Sequence, residues 1–212
     1  MSLFLKHIED KYQWGIWKID ECPEDILSMF SNQKREIYEQ EIQHFASKQR
    51  RLEWLSVRML LYTLLGEEKK IMYRSTGKPY LPDYSYCISI SHTRGYAAVI
   101  LSSVNEASID IEQYGERIGR VAHKFMHDDE QPSLYFNSDV WSLLLHWSAK
   151  EAMFKCMDTA FVDFRKHFRI YPFQIQEHGL FQAKEYYTSK RQDFLIHYLI
   201  RPEFVMTWQI TE

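Results

Sequence analysis

The tightest constraint on how this chain can fold is the alternation Ser108-Ile109-Asp110-Ile111-Glu112. In an extended strand successive side chains point to opposite faces, so Ile109 and Ile111 enter a core while Asp110 and Glu112 share the other face, about 7 Å apart along the backbone. A second segment, Trp147-Ser148-Ala149-Lys150-Glu151-Ala152-Met153-Phe154-Lys155, has helical spacing. On a helix Glu151 and Lys155 meet on one side, leaving Trp147, Ala152 and Phe154 for packing. A helix laid beside that strand would gather three carboxylates, Asp110, Glu112 and Glu151, with the ammonium of Lys155. Two carboxylates about 6 Å apart repel by roughly 3 kcal/mol at an effective dielectric of about 20. A hard divalent cation removes that cost, and a small oxygen-only ligand set with positions left open suits Mg²⁺ better than zinc. The competing reading is a strand of solvated acids plus an ordinary Glu-Lys helix pair worth a few tenths of a kcal/mol. Taken singly, neither segment decides between the two.

Composition bounds the class. A chain of 212 residues with 45% apolar content can bury a substantial core, as one domain or as two small ones. No run of eighteen apolar residues occurs, and the start Met1-Ser2-Leu3-Phe4-Leu5-Lys6-His7 lacks the layout of a signal peptide, so a soluble, cytoplasmic protein is expected, with no membrane association. Cys22, Cys87 and Cys156 are scattered, odd in number and without Cys-x-x-Cys spacing, which argues against a disulfide framework or structural zinc. A net charge of -3 gives no overall attraction to nucleic acid or acidic lipid, so any recognition of anions must come from local clusters.

The elements follow from period and punctuation. Trp14 to Ile19 reads as a strand, Pro23 to Phe30 as a short helix opened by proline, and Ser31 as an N-cap. Gln33 to His44 and Ser47 to Leu65 have helical spacing, the second with Leu52, Leu55, Met59 and Tyr62 on one stripe and Gly66 as its stop. Tyr86 to Ile90 and Tyr96 to Leu101 read as strands around a turn at Thr93-Arg94-Gly95. The polar connector Ser102 to Glu106 divides a first half, 1–104, from a second, 105–212. In the second half Ala107 to Ile111 is a strand and Asp139 to Met157 a long helix. Further strands fall near Phe168–Ile175, Leu180–Tyr186, Phe194–Ile200 and Phe204–Ile210, with a hairpin turn at His178-Gly179. No internal repeat or low-complexity segment is visible.

A third segment weighs on the function: Gly77-Lys78-Pro79-Tyr80-Leu81-Pro82, followed by Tyr86-Cys87-Ile88-Ser89-Ile90-Ser91-His92-Thr93. The order Gly-Lys-Pro, Ile-Ser-His, Ile-Asp-Ile-Glu and Trp-Ser-x-Lys-Glu-Ala-x-x-Lys resembles the 4'-phosphopantetheinyl transferases of the Sfp type. The motifs run from Gly77 to Lys155, and a weaker likeness reaches back through Arg50-Arg51-Leu52-Glu53-Trp54-Leu55-Ser56-Val57-Arg58, about half the chain in all. The resemblance implies an α+β fold of two similar halves in pseudo-twofold arrangement, each a small antiparallel sheet packed on a long helix, with coenzyme A in the cleft between them. It implies that Gly77, Lys78 and Pro79 line the adenosine-phosphate end, that Arg51 and Arg58 approach the phosphates, and that Ser91 and His92 contact the ligand. A solvated basic stripe at Arg51 and Arg58, and an ordinary turn at Gly-Lys-Pro, are the competing readings. Phe125 and Glu130 match a Phe-x-x-x-x-Glu-like pattern, which makes Glu130 a helper near the site.

The reaction so implied is transfer of 4'-phosphopantetheine from coenzyme A to a serine of an apo acyl, peptidyl or aryl carrier protein, releasing adenosine 3',5'-bisphosphate. Asp110, Glu112 and Glu151 would hold Mg²⁺, Glu151 would take the serine proton, and Lys155 would stabilise the phosphate, with His92 also at the reacting end. Trp147 reads as core packing. Arg117, Ile118, Arg120, Val121 and Lys124 mix charge with apolar contact and are expected to dock an acidic carrier. A monomer is expected. Three departures from the family pattern stand out: Thr93 after Ser-His, Ser108 before Ile-Asp, and Cys156-Met157-Asp158 without glycines after the lysine. His123 and His127, four apart, could hold metal if helical, and equally suit a solvated helix end.

Other classes were weighed. Ser91-His92 cannot be a nucleophile and its base, since neighbours on a strand point apart. A Mg²⁺-dependent nuclease wants a lysine two residues after the strand acid, where this chain has Tyr114, and a basic face that is missing. A non-catalytic module that merely binds coenzyme A leaves Asp110, Glu151 and Lys155 without a purpose.

Overall fold

The computed structural model describes residues 2–157, 159 and 161–211 of the chain. Its elements are β1 (Leu3–Ile8), β2 (Tyr12–Lys18), α1 (Pro23–Ser28), α2 (Asn32–Ile42), α3 (Lys48–Leu65), β3 (Met72–Tyr73), β4 (Pro79–Tyr80), β5 (Cys87–Thr93), β6 (Tyr96–Ser102), β7 (Ala107–Gln113), α4 (Ile118–Val121), α5 (Val140–Cys156), α6 (Phe164–His167), β8 (Phe168–Ile170), β9 (His178–Glu185), β10 (Asp193–Arg201) and β11 (Phe204–Ile210). A 3-10 turn, Ala122–Lys124, continues α4. This is the α+β class expected from the sequence, with antiparallel sheets and long helices. The chain divides into two compact units, one of residues 1–72 and 79–104, the other of residues 73–78 and 105–212.

The first unit is a four-stranded sheet in the order β1-β2-β6-β5 with α3 against β2 and β6. Local chemistry fixes both ends of α3. The Ser47 hydroxyl accepts the Arg50 N–H at 3.1 Å, and Gly66 closes the helix in the left-handed region at φ 72°, where a Cβ would be strained. Leu55, Leu60 and Leu61 pack on Trp17, Val99 and Leu101. Tyr62, expected on the buried stripe with Leu52, Leu55 and Met59, lies exposed, because the buried face turns towards Leu60 and Leu64. The sequence reading also placed no element at Leu3–Ile8. There β1 pairs with β2 as an edge strand, its Leu3 packed on the core and its His7 ring stacked on Trp14.

The second unit is a five-stranded sheet in the order β7-β11-β10-β9-β8. Helix α5 crosses β7 and β11, and its Leu145, Ala149 and Met153 meet Phe168, Phe181, Ile196, Tyr198 and Val205. Ile109 and Ile111 are buried as the alternation requires. The acidic face does not stand in water, however: Asp110 is only 4% exposed, because that side of β7 lies under α5. Two further expectations fail here. The strand from Phe168 ends at Ile170 rather than Ile175, and His178-Gly179 is no turn but the start of β9. Gly179 stands opposite Tyr198, whose ring occupies the space a side chain would need. The signal read as a turn was a close approach.

Asp158 lies outside the described residues. The three cysteines are free thiols. Among the described residues no helix is long and apolar enough to cross a membrane.

The Tyr198 hydroxyl is fixed by the Gln176 N–H at 3.0 Å and donates to the Gln174 carbonyl at 3.3 Å, and a Cβ at Gly179 would come within 2.9 Å of it. Gly179→Ala is therefore expected to cost about 1–3 kcal/mol by overpacking. The midpoint of urea unfolding, at unchanged slope, measures this.

Candidate active site

Strand β7 and helix α5 bring Lys155 to Asp110 and Trp147 to Glu112, in an acidic corner that also takes in Glu151. Trp147, Glu151 and Lys155 recur every four residues and so form one stripe along α5, turned towards β7. Lys155 Nζ donates to Asp110 Oδ1 at 2.8 Å and to the Ile109 carbonyl at 2.9 Å. It thus pairs across to the strand rather than with Glu151, and the ordinary helix pair is not formed. Trp147 Nε1 donates to Glu112 Oε1 at 2.7 Å. The indole expected only to pack also positions a carboxylate. Glu151 makes no hydrogen bond or ion pair among the described residues.

The charges here are crowded. Burial, with the charge of Asp110 added, pushes Glu112 up to about 7 against the opposing bond from Trp147. Glu151 is likewise raised to about 7 by burial and by Asp110, with Lys155 opposing. Three acids face one ammonium in a half-buried setting, and hard cations are bound by such oxygen-rich, net-negative groups. In kind and charge the donors fit a divalent metal. They do not form a finished cage: among the described residues no three acidic, histidine or cysteine side chains stand together as a metal-binding group. One oxygen of Asp110 is held by Lys155 and one of Glu112 by Trp147.

Lys150, next to Glu151, points the opposite way. Its side chain is fully buried and its ammonium lies 2.6 Å from Glu130 Oε2 and 2.7 Å from the Phe125 carbonyl. Glu130 in turn accepts the Ile170 N–H at 2.6 Å and the His127 N–H at 2.7 Å. Glu130, expected as a helper near the site, instead anchors the 125–130 segment and β8 to α5. Sequence reasoning passed over Lys150. The available signal was its spacing, since Lys150 lies four residues from His146 and three from Met153 on the side of α5 away from Glu151, where a charge requires a buried partner. Among the described residues His123 and His127 belong to no metal-binding group, and His127 lies against Asp129 and Arg169.

Gly77 and Lys78 also belong to this unit. Gly77 sits at φ 86° in a turn closed by the Arg74 and Lys78 backbones, and Lys78 Nζ pairs with Glu106 at 2.7 Å. Pro79 opens β4. Cys156 is packed beside Gln209, with its thiol pushed up to about 11 by burial.

In the first unit, His92 is exposed on β5 and Ser91 is buried beside it. The His92 ring lies 2.6 Å from Arg50 and 3.5 Å from Glu53. Arg51 turns away to the Phe45 carbonyl at 2.9 Å. Arg58 stacks on Trp54, 3.1 Å from the ring centroid, and is nearly buried. The arginine brought to His92 is thus Arg50, missed because it neighbours Arg51 in a basic pair. Its place at i, i+3 from Glu53 and i, i+4 from Trp54 was the signal that set it on a different face. In the expected docking stretch Arg117, Arg120, Val121 and Lys124 are exposed, but Ile118 is buried in the core and leaves that surface.

Residues 108–208 match the family model ACPS, the 4'-phosphopantetheinyl transferase superfamily. Asp110, Glu112, Glu130, Lys150, Glu151 and Lys155 all lie within the matched segment. A comparison with curated proteins gave no match.

Because folding raises the pKa of Glu112 and Glu151 above the usual carboxylate value, their protonated forms favour the fold. That contribution is complete below about pH 4.5 and is lost as pH rises through about 7. In chelator-treated protein the melting temperature should fall between pH 5 and 8. The double variant Glu112→Gln/Glu151→Gln should flatten the fall, and thermal melts across that range check it.

Proposed function

We propose that this protein is a phosphopantetheinyl transferase of the Sfp type, which moves 4'-phosphopantetheine from coenzyme A to a serine of an apo carrier protein. The observation that carries the reading is the pairing of Lys155 of α5 with Asp110 of β7, close enough to Glu112 and Glu151 for the charge of Asp110 to raise both, inside the segment that matches the superfamily. Asp110, Glu112 and Glu151 would hold Mg²⁺. When bound, the metal would offset the charge of the diphosphate as the bond to the leaving nucleotide breaks.

The chain's own groups do the rest. Lys155, braced by the Ile109 carbonyl, has its ammonium on the carboxylate side of α5 and would bind a phosphate oxygen and protonate the departing phosphate. Glu151, whose carboxylate is not engaged by any described residue, would accept the proton of the carrier serine, whose own pKa lies far above neutrality. Trp147 would keep Glu112 aimed at the site. Lys78, in the turn after Gly77 and before Pro79, supplies a cation for the coenzyme's phosphates at the expense of its pairing with Glu106. On the first unit we assign phosphate contacts to His92 with Ser91, and prefer Arg50 to Arg51 and Arg58 as their companion, because it already touches His92. The products are the phosphopantetheinylated carrier and adenosine 3',5'-bisphosphate.

Mixing the protein with coenzyme A, Mg²⁺ and an apo carrier should raise the carrier's mass by one phosphopantetheinyl group. Asp110→Ala should lower the rate by more than about a hundredfold, since it removes both an acid and the partner of Lys155. Carrier masses unshifted by the unaltered protein across several carriers would sink the reading, as would full activity in Asp110→Ala.

A further inference from the structure

The second unit carries a basic surface larger than the sequence suggested. Helix α4 and its 3-10 turn expose Arg117, Arg120 and Lys124. From there the surface continues through contacts rather than along the chain. Arg165 of α6 donates to the His123 carbonyl at 3.3 Å and pairs with Asp128 at 2.5 Å, tying α6 to the 3-10 turn. The Tyr186 N–H donates to the His167 carbonyl at 2.7 Å, and the His167 ring meets Tyr187 at 5.1 Å, tying the β9–β10 loop to α6. That loop ends in Lys190 and Arg191, both exposed. Among the described residues Arg117, Arg120, Lys124, Lys190 and Arg191 have no acidic partner. Acids lie among them, Asp128 pairing with Arg165 and Asp163 with Lys166, so the cations left over sit at the two ends, on α4 with its 3-10 turn and on the loop.

The loop is held in one shape. Glu185, 1% exposed, accepts the N–H groups of Tyr187 and Thr188 at 2.8 Å and of Gln192 at 3.0 Å, and also the Thr188 hydroxyl. Burial alone would raise its pKa, but these bonds outweigh it and hold the carboxyl below the usual value. Arg191 adopts φ 47°, a left-handed conformation that a non-glycine residue takes only when its surroundings impose it. A loop so fixed loses little entropy when it meets a partner.

The surface also borders the acidic corner. Phe164 of α6 packs on Trp147 at 5.5 Å and on Phe154 at 5.8 Å, while Phe125, just after the 3-10 turn, packs on the same Trp147 at 5.3 Å. Trp147 is the residue that holds Glu112.

We propose that α6 and the β9–β10 loop extend the stripe Arg117, Arg120 and Lys124 into one docking surface for an acidic protein, the apo carrier. The inference rests on the transferase reading above and adds the part of the molecule that grips the second substrate. Charge complementarity selects the occupant: a compact protein of net negative charge meets the unpaired cations of α4 and of the loop that is tied to α6 through Tyr186 and Tyr187.

The test is steady-state transfer from coenzyme A to a purified apo acyl carrier protein of net negative charge, comparing the unaltered protein with Lys190→Glu/Arg191→Glu. Circular dichroism confirms that the variant is folded. The KM for carrier should rise roughly tenfold, with kcat and the KM for coenzyme A unchanged and a weaker dependence on salt. Glu185→Gln, which keeps both cations but loosens the loop, should raise the carrier KM by a smaller factor. An unchanged carrier KM and salt dependence in the double variant would overturn the docking surface and leave the transferase reading standing. A carrier left unmodified by the unaltered protein would instead overturn the transferase reading, and this occupant with it.

Discussion

An ion pair without water around it sets the geometry of the second unit. Lys150 and Glu130 lie 2.6 Å apart with both side chains fully buried. Taking two charges out of water is costly, and further hydrogen bonds support the pair: Lys150 also donates to the Phe125 carbonyl, and Glu130 accepts the N–H groups of Ile170 and His127. A side-chain contact of this kind fixes the rotation of α5 about its axis. Neighbouring residues on a helix point about 100° apart, so with Lys150 held inward Glu151 turns away from Glu130, and Trp147 and Lys155 follow it on the same stripe.

That rotation produces the electrostatic character of the acidic corner. Asp110 and Glu112 come from one face of an edge strand and Glu151 from the helix above it, and the helix period brings the ammonium of Lys155 to them. Burial and mutual repulsion raise Glu112 and Glu151 towards neutrality. The corner therefore favours whatever brings positive charge to it, whether protons or a divalent cation. Lys155 and Trp147 keep individual oxygens of Asp110 and Glu112 in place meanwhile, so the strand acids are oriented rather than free to rotate.

Much of this was legible beforehand. The alternation from Ser108 to Glu112 required a strand with two isoleucines inward, and the spacing from Trp147 to Lys155 required a helix with Glu151 and Lys155 on one side. Ser47 and Gly66 marked the ends of α3 through the hydrogen bonds that helix termini need. What misled were residues whose roles depend on distant neighbours. Gly179 looks like a turn residue until Tyr198 is known to cover it. Ile118 looks like a contact residue until the core closes over it. Arg50 and Arg51 differ in the helix face they occupy, but only the placing of β5 shows which of them His92 meets. Lys150 was overlooked because its partner lies twenty residues away, beyond any local period.

By itself, then, the sequence determined the longest helices and the strands with clear alternation, and which of their faces are apolar, because those properties follow from periods of two and 3.6 residues, while β1 and the bounds of β8 and β9 depended on pairing with distant strands. Tertiary structure alone decided which charges are paired. Lys155 chose Asp110 over Glu151, Lys150 chose Glu130, and Trp147 became a hydrogen-bond donor to Glu112, since pairing of buried charges is settled by which groups are brought together away from water.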